Sequence, residues 1–236
     1  MHTLLIQIAG PMQSWGLSSR FAERDTATEP TKSGIVGLIC ASLGRGVSEP
    51  ISDLTRLPLG IRVDREGKMR YDYQTAEDVM TAEGGTKTVP SKRYYLSDAV
   101  FLAGIESADL AVLEQIALAL KRPVWQVFLG RKSYLPSRPL FISRRPGSIP
   151  GHPEIPGIVN LPLYDALVSF PRLCELDDTV DRLRIIIESE RGTIVRKDVP
   201  LSFDSREYDT RRVEIKYMNI KHKGGTDDVA DPADAF

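Results

Sequence analysis

The chain is 236 residues long, 42% hydrophobic and 27% charged, with a formal net charge of −1. That length supports one large domain, or one domain with a smaller appendage, and the composition is that of an ordinary soluble globular protein without repeats or low-complexity tracts. No apolar run reaches membrane-spanning length and no leader is evident, while Cys40 and Cys174 read as reduced packing residues, so the expected setting is cytoplasmic with no membrane partner.

Thr3 to Ala9 alternates Leu4, Ile6 and Ile8 on one face with Leu5, Gln7 and Ala9 on the other. Both faces are mostly apolar, which predicts a central strand, stopped by Gly10-Pro11. Ile35, Val36, Leu38, Ile39 and Leu43 then recur at helical spacing. Thr31 or Ser33 can cap this helix and Gly44 ends it. Its Gly34 and Gly37 lack the full spacing of a dinucleotide fingerprint and suit close helix-to-sheet packing instead. Leu59 to Val63 reads as a second strand and Ala99 to Ile105 as a third, with Gly104 a weak point. Between them, from roughly Arg65 to Ser97, lies a long insertion. Its Tyr-rich ends, Met69 to Gln74 and Pro90 to Leu96, can pair as an extended hairpin with Gly84-Gly85 near the tip, an arrangement that favours function. Asp109 opens a second helix with Leu110, Leu113, Ile116, Ala117 and Leu120 on one face, closing at Lys121-Arg122-Pro123. Pro139 to Ser143 is the expected fourth strand.

The order strand, helix, strand, strand, helix, strand predicts an α+β, ferredoxin-like (RRM-like) domain over residues 1–145, with the insertion at about 65–97. After Arg145 a Pro-rich connector precedes strand-like runs at Leu183 to Ile187, Thr193 to Lys197 and Arg212 to Met218. These predict a small, mostly β subdomain over 146–222. Residues 223–236, rich in Gly, Asp and Ala, read as a disordered acidic tail.

The near-neutral total hides a split. Gln115 to Pro153 contains no Asp or Glu, yet carries Lys121, Arg122, Arg131, Lys132, Arg138, Arg144 and Arg145. Such charge either grips a polyanion or forms a solvated basic face. Within it, Leu129-Gly130-Arg131-Lys132 sets a glycine, which permits close backbone approach, before two cations that can reach phosphate oxygens. Gln13, Ser14 and Trp15 follow the first strand. There Trp15 either stacks on a base or packs in the core, and the Gln13 amide can read a base edge. Arg20, Arg24 and Lys32 bracket the start of the first helix, whose free N–H groups favour a phosphate. Lys92, Arg93 and Tyr94 are candidate RNA contacts, and with Tyr95 they offer groups for metal-free RNA cleavage, although no histidine is close to them in sequence. His2, His152 and His222 do not sit at metal-ligand spacing, and no nucleophile elbow or Walker A loop is present, so no metal or cofactor is expected.

Four blocks together carry a resemblance. They are Gln7-Ile8-Ala9-Gly10-Pro11-Met12-Gln13-Ser14-Trp15-Gly16, Arg24-Asp25-Thr26-Ala27-Thr28-Glu29-Pro30-Thr31-Lys32-Ser33-Gly34, Arg93-Tyr94-Tyr95-Leu96-Ser97-Asp98-Ala99 and Leu129-Gly130-Arg131-Lys132. In this order the chain resembles the fifth Cas family, of the RAMP superfamily, in the form that binds the crRNA 5′ handle in type I-E Cascade. The resemblance implies a ferredoxin-like palm, an inserted β-hairpin thumb and a glycine-rich loop after the second helix. It implies a non-catalytic RNA-binding subunit for antiviral defence that caps the 5′ handle of crRNA. Its implied partners are the last backbone subunit and the large PAM-recognising subunit, with target DNA near the thumb. Carried onto this chain, Gln13, Ser14, Trp15, Arg24, Lys32 and Ser33 match the loop and helix start near the handle, and Gly130, Arg131 and Lys132 match the glycine-rich loop. Arg138 is a supporting contact. Another CRISPR subtype has a related member that cleaves RNA with Tyr, Lys and His, so a metal-independent endoribonuclease is the alternative; this chain has no suitably placed His.

Overall fold

The computed structural model describes residues 1–17, 23–142, 157–175 and 180–220. In chain order its elements are β1 (His2–Ala9), β2 (Met12–Gln13), β3 (Glu23–Arg24), α1 (Lys32–Leu43), α2 (Ser52–Thr55), β4 (Leu59–Arg65), β5 (Lys68–Met80) and β6 (Thr86–Ser97). There follow β7 (Val100–Ser107), α3 (Leu110–Lys121), β8 (Ile158–Val159), α4 (Leu163–Ser169), β9 (Arg182–Glu188), β10 (Ile194–Ser202) and β11 (Glu207–Asn219). The architecture is mixed α+β and rich in sheet. The tail from 223, together with Arg20, Arg144 and Arg145, lies outside the described residues.

One sheet has seven strands in the order β10-β11-β9-β4-β7-β1-β8. The alternation of β1 sorts its side chains into two layers. Leu4, Ile6 and Ile8 join the core under α1 and α3, while Leu5 joins the core under α4. The Thr31 hydroxyl caps α1 by accepting from the Gly34 N–H at 3.2 Å, and Gly44 closes it in the left-handed conformation (φ 76°). Asp109 caps α3, whose Leu113, Ile116, Ala117 and Leu120 are buried.

The other layer depends on two glycines. Gly60 and Gly104 are register partners on β4 and β7, and a Cβ on either would lie 2.7 Å from a Leu167 or Leu163 methyl. Their bare backbone is a shelf for α4, so Gly104 is a packing requirement rather than a weak point. Each leucine buried there contributes about 1.5–3 kcal/mol. Arg62, on the same face of β4, ties down the far end of α4. Its guanidinium donates to the carbonyls of Leu167, Phe170 and Pro171 and pairs with Asp64 at 2.6 Å, both side chains being 0% exposed.

Two sequence expectations change. β9 pairs with β4, so β9, β10 and β11 extend the first sheet instead of forming a sheet of their own, while the expected boundary at 145/146 lies outside the described residues. The place expected for Pro139 to Ser143 is divided. Ile158–Val159 pairs with Thr3 and Leu4, while among the described residues Leu140 to Ile142 supply an Ile6–Phe141 bridge and the Leu140 carbonyl to the Gln7 N–H. Pro136 and Pro139 cannot donate to a ladder, which keeps that segment irregular.

The second sheet is built on the insertion. β5 and β6 form an antiparallel hairpin from Lys68↔Ser97 to Met80↔Thr86, turning at Gly84 and Gly85. Between Ala76 and Val79 the register slips by one residue, with Asp78 at φ 54°, which marks a bulge. The other edge of β6 pairs with β2 and β3. The N-terminal loop is thereby woven to the hairpin base.

Candidate nucleic-acid interface

Gln13 and Trp15 face inward. Both are essentially unexposed (0% and 1%), and the indole N–H donates to the Gln13 side-chain Oε1 at 3.3 Å while the Gln13 side-chain Nε2 donates to the Ala99 carbonyl at 2.7 Å. The Trp15 ring lies on Gly34, where a Cβ would meet it at 2.7 Å. Of the two readings for Trp15, core packing is the one realised: neither residue can stack on or read a base from this position. The role of Gly34 is also different from that expected, since it admits Trp15 rather than a strand.

Lys32 is likewise withdrawn from solvent. It is 2% exposed, and its ammonium sits 2.8 Å from Glu188 across 156 residues of sequence. Burial holds its pKa below the usual lysine value despite the favourable Glu188 partner. Its backbone N–H is occupied as well, donating to Asp198 at 2.8 Å. Lys32 is therefore a buried strut between α1 and the C-terminal strands, not an RNA contact. Arg138 lies elsewhere, donating to the Leu173 carbonyl at 2.8 Å, and among the described residues no hydrogen bond or ion pair joins it to the Gly130 turn. Arg20 falls outside the described residues.

The remaining predicted residues converge. Leu129 is buried, its carbonyl accepts from the Ser14 N–H at 3.0 Å, and its N–H donates to the Tyr134 carbonyl at 2.7 Å. This pins the turn against the N-terminal loop. Gly130 has φ 93°, and a Cβ there would lie 1.7 Å from the Ser14 carbonyl oxygen. No side chain fits. Ser14 in turn donates its hydroxyl to the Tyr94 carbonyl at 3.2 Å, linking the turn to β6. Arg131 braces the same junction, donating to the Tyr134 hydroxyl at 2.8 Å and the Tyr94 carbonyl at 2.9 Å, with its guanidinium 5.3 Å from the Tyr134 ring. Burial raises the Tyr134 pKa, against the opposing influence of Arg131, so the phenol stays neutral and accepts from the guanidinium. Lys132 beside it is exposed.

The exposed Arg24 on β3 is the register partner of Arg93 on β6. Ser33 is half-buried, its hydroxyl 3.2 Å from that of Thr31, and it faces a groove of about 230 Å³ whose far wall includes Phe128 and Gly130.

To Lys92 and Tyr94, which the sequence reading singled out, the hairpin adds Tyr71 and Tyr73, which it did not. Tyr71 and Tyr73 on β5 oppose Tyr94 and Lys92 on β6, and alternation puts all four side chains on one side. Tyr71 and Tyr73 are 59% and 60% exposed, the Tyr71 and Tyr94 centroids are 6.0 Å apart, and the Lys92 ammonium is 5.9 Å from the Tyr71 ring. The alternating Tyr71-Asp72-Tyr73 pattern holds the signal, but only the register with β6 turns it into a surface. Exposed phenol rings interleaved with a cation, next to a basic turn, suit the flat faces and phosphates of a single-stranded nucleic acid.

Comparison with known proteins gives a concordant result. The family model described as CRISPR-associated protein (Cas_Cas5) matches residues 3–214. The CRISPR system Cascade subunit CasD of Escherichia coli (strain K12) is 31% identical over 163 residues, spanning 62% of this chain and 73% of that protein. A solved chain described as a crystal structure of a Cas protein superimposes with a TM-score of 0.73 at 39% identity, covering 92% of this chain and 95% of that one. A chain from a CRISPR RNA-guided surveillance complex gives a TM-score of 0.74 at 31% identity, with 92% and 90% covered. The chain belongs to the CRISPR-associated protein (Cas_Cas5) family.

Proposed function

We propose that this protein is a non-catalytic RNA-binding subunit of a type I-E Cascade surveillance complex, capping and holding the 5′ handle of the crRNA. In this reading β4-β7-β1-β8 with α1 and α3 form a ferredoxin-like palm, and the β5–β6 hairpin is its thumb. The partners are the last backbone subunit and the large PAM-recognising subunit, with target DNA near the thumb, in the cytoplasm. The observation that carries the reading is the Gly130 turn. A glycine that no other residue can replace holds two cations beside an exposed Tyr and Lys surface, and among the described residues no ion pair or hydrogen bond engages the Lys132 ammonium. The likeness to a Cascade subunit and to a chain of an RNA-guided complex supports the same reading.

Arg131→Glu with Lys132→Glu is expected to weaken binding of a labelled 5′-handle RNA at least tenfold and to flatten the dependence of log K on log salt, since fewer phosphates are neutralised. Wild-type affinity and slope in that double variant would rule the turn out as an RNA contact. A second reading, a metal-independent endoribonuclease, draws on the closeness of Lys92, Tyr71 and Tyr94. Incubation with labelled repeat RNA in EDTA separates the two: intact RNA is expected, and a single specific cut would replace the binding-only reading.

A further inference from the structure

A second cleft, of about 410 Å³, opens beside the C-terminal hairpin, walled by Leu17 and Ser33 on one side and by Lys197, Arg206 and Tyr208 on the other. Ser33 also faces the groove that runs to Phe128 and Gly130, so the two spaces adjoin at this residue.

The charges around this cleft divide sharply. Among the described residues, inward-pointing cations of this hairpin and of the neighbouring β9 are paired. Arg196 meets Glu29, Arg184 meets Glu29 and Glu66, and Arg211 meets Asp198 and Glu188. Lys197 and Arg206 are exposed, and among the described residues neither has a carboxylate or hydrogen-bond partner. The acid that lines the cleft, Asp198, is 3% exposed and already engaged by Arg211 and by the Lys32 N–H, so it does not neutralise them. Asp204, Glu207 and Asp209, on the same hairpin, do not line the cleft. Arg206 also holds φ 56° in the β10–β11 turn, a left-handed conformation that a non-glycine side chain adopts at a cost.

We infer that Lys197, Arg206 and Tyr208 form a second contact for the sugar-phosphate backbone of the same single-stranded RNA, which runs from the Gly130 turn past Ser33 onto the C-terminal hairpin. The inference rests on the RNA-binding reading above. Two unpaired cations supply the phosphate contacts, and the half-buried Tyr208 ring supplies a flat wall against ribose or base. The C-terminal strands thereby take part in binding as well as extending the sheet.

The test is fluorescence anisotropy of the full chain with a labelled single-stranded 5′-handle RNA over a salt series. Lys197→Glu with Arg206→Glu is expected to lower affinity about tenfold and to make the salt slope shallower by about 1.4, roughly 0.7 for each phosphate of a single strand that is no longer neutralised. Lys197→Gln with Arg206→Gln, read beside a thermal melt, is expected to weaken binding less, with unchanged melting. Wild-type affinity and slope in both hairpin variants, while the Arg131 and Lys132 variant binds weakly, would overturn the second contact and leave the first intact. If wild-type protein fails to bind the RNA, the RNA-binding reading fails, and this inference with it.

Discussion

The two sheets of this protein use the same residue types in opposite ways. On the seven-stranded sheet, Arg62 is wholly enclosed, its guanidinium divided among Asp64 and three carbonyls at the end of α4. On the hairpin sheet, Lys92 and the rings of Tyr71 and Tyr73 stand in solvent. The central strands of the first sheet are covered on both faces by helices; the second presents a face that no element among the described residues covers. Polar groups on a covered sheet must be satisfied within the fold, since an unpaired buried charge is costly, whereas exposed aromatic and cationic groups remain available for a ligand.

The sharpest way to break the contrast is Arg62→Ala. It leaves the enclosed Asp64 without its guanidinium partner and frees the end of α4, and the expected destabilisation is about 3–5 kcal/mol, measured by chemical denaturation. A change under about 1 kcal/mol would mean that the covered sheet does not depend on this pair. Tyr71→Ser with Tyr73→Ser is the complementary change. Stability should stay within about 0.5 kcal/mol of wild type. RNA affinity should fall by about 1–3 kcal/mol for each base stack removed, so anisotropy and a melt on one sample check both.

The smallest expected effect comes from acid. Burial opposes ionisation of Glu29, yet hydrogen bonds from Thr28 and Arg184 and the charges of Arg184 and Arg196 outweigh it, so its pKa lies below the ordinary value. Asp198 behaves alike, burial being outweighed by Arg211 and by the Lys32 N–H. A carboxylate with a depressed folded pKa contributes stability above its unfolded pKa, and that contribution is lost as pH falls through the folded one. Stability should therefore hold down to about pH 4–4.5 and decline below it. Glu29→Gln should flatten that decline in denaturation midpoints taken across the window.

Much of the fold can be read locally. Thr31 and Gly44 bound α1, the alternation in β1 assigns Leu4 and Leu5 to opposite layers, and the Gly84-Gly85 pair marks the hairpin tip. These signals depend on neighbours within a few residues. What cannot be read is burial set by distant partners. Lys32 looks like a phosphate ligand until Glu188 closes on it, and Trp15 looks like a stacking platform until Gly34 receives its ring. The edge of β1 is hidden from the sequence for the same reason. Whether Phe141 or Ile158 pairs there is decided by how the chain returns from α3, which periodicity does not encode. The turn at Gly130 stands out because its glycine and two cations lie within a stretch free of Asp and Glu, whereas Tyr71 and Tyr73 need their strand partners to become a surface.

The bulge between Ala76 and Val79 limits how far that surface extends. An extra residue in one strand exchanges the sides of the hairpin, so the alternation that aligns Tyr71 and Tyr73 with Lys92 and Tyr94 cannot continue to the tip. The hairpin thus behaves as a ruler with a stop. A strand tracking the tyrosine side can follow it only over the proximal part, Lys68 to Ala76, roughly 30 Å at the rise of an extended strand. Beyond the stop the distal arm points a different set of side chains outward. Shortening that arm should leave the proximal rings, and whatever lies on them, undisturbed.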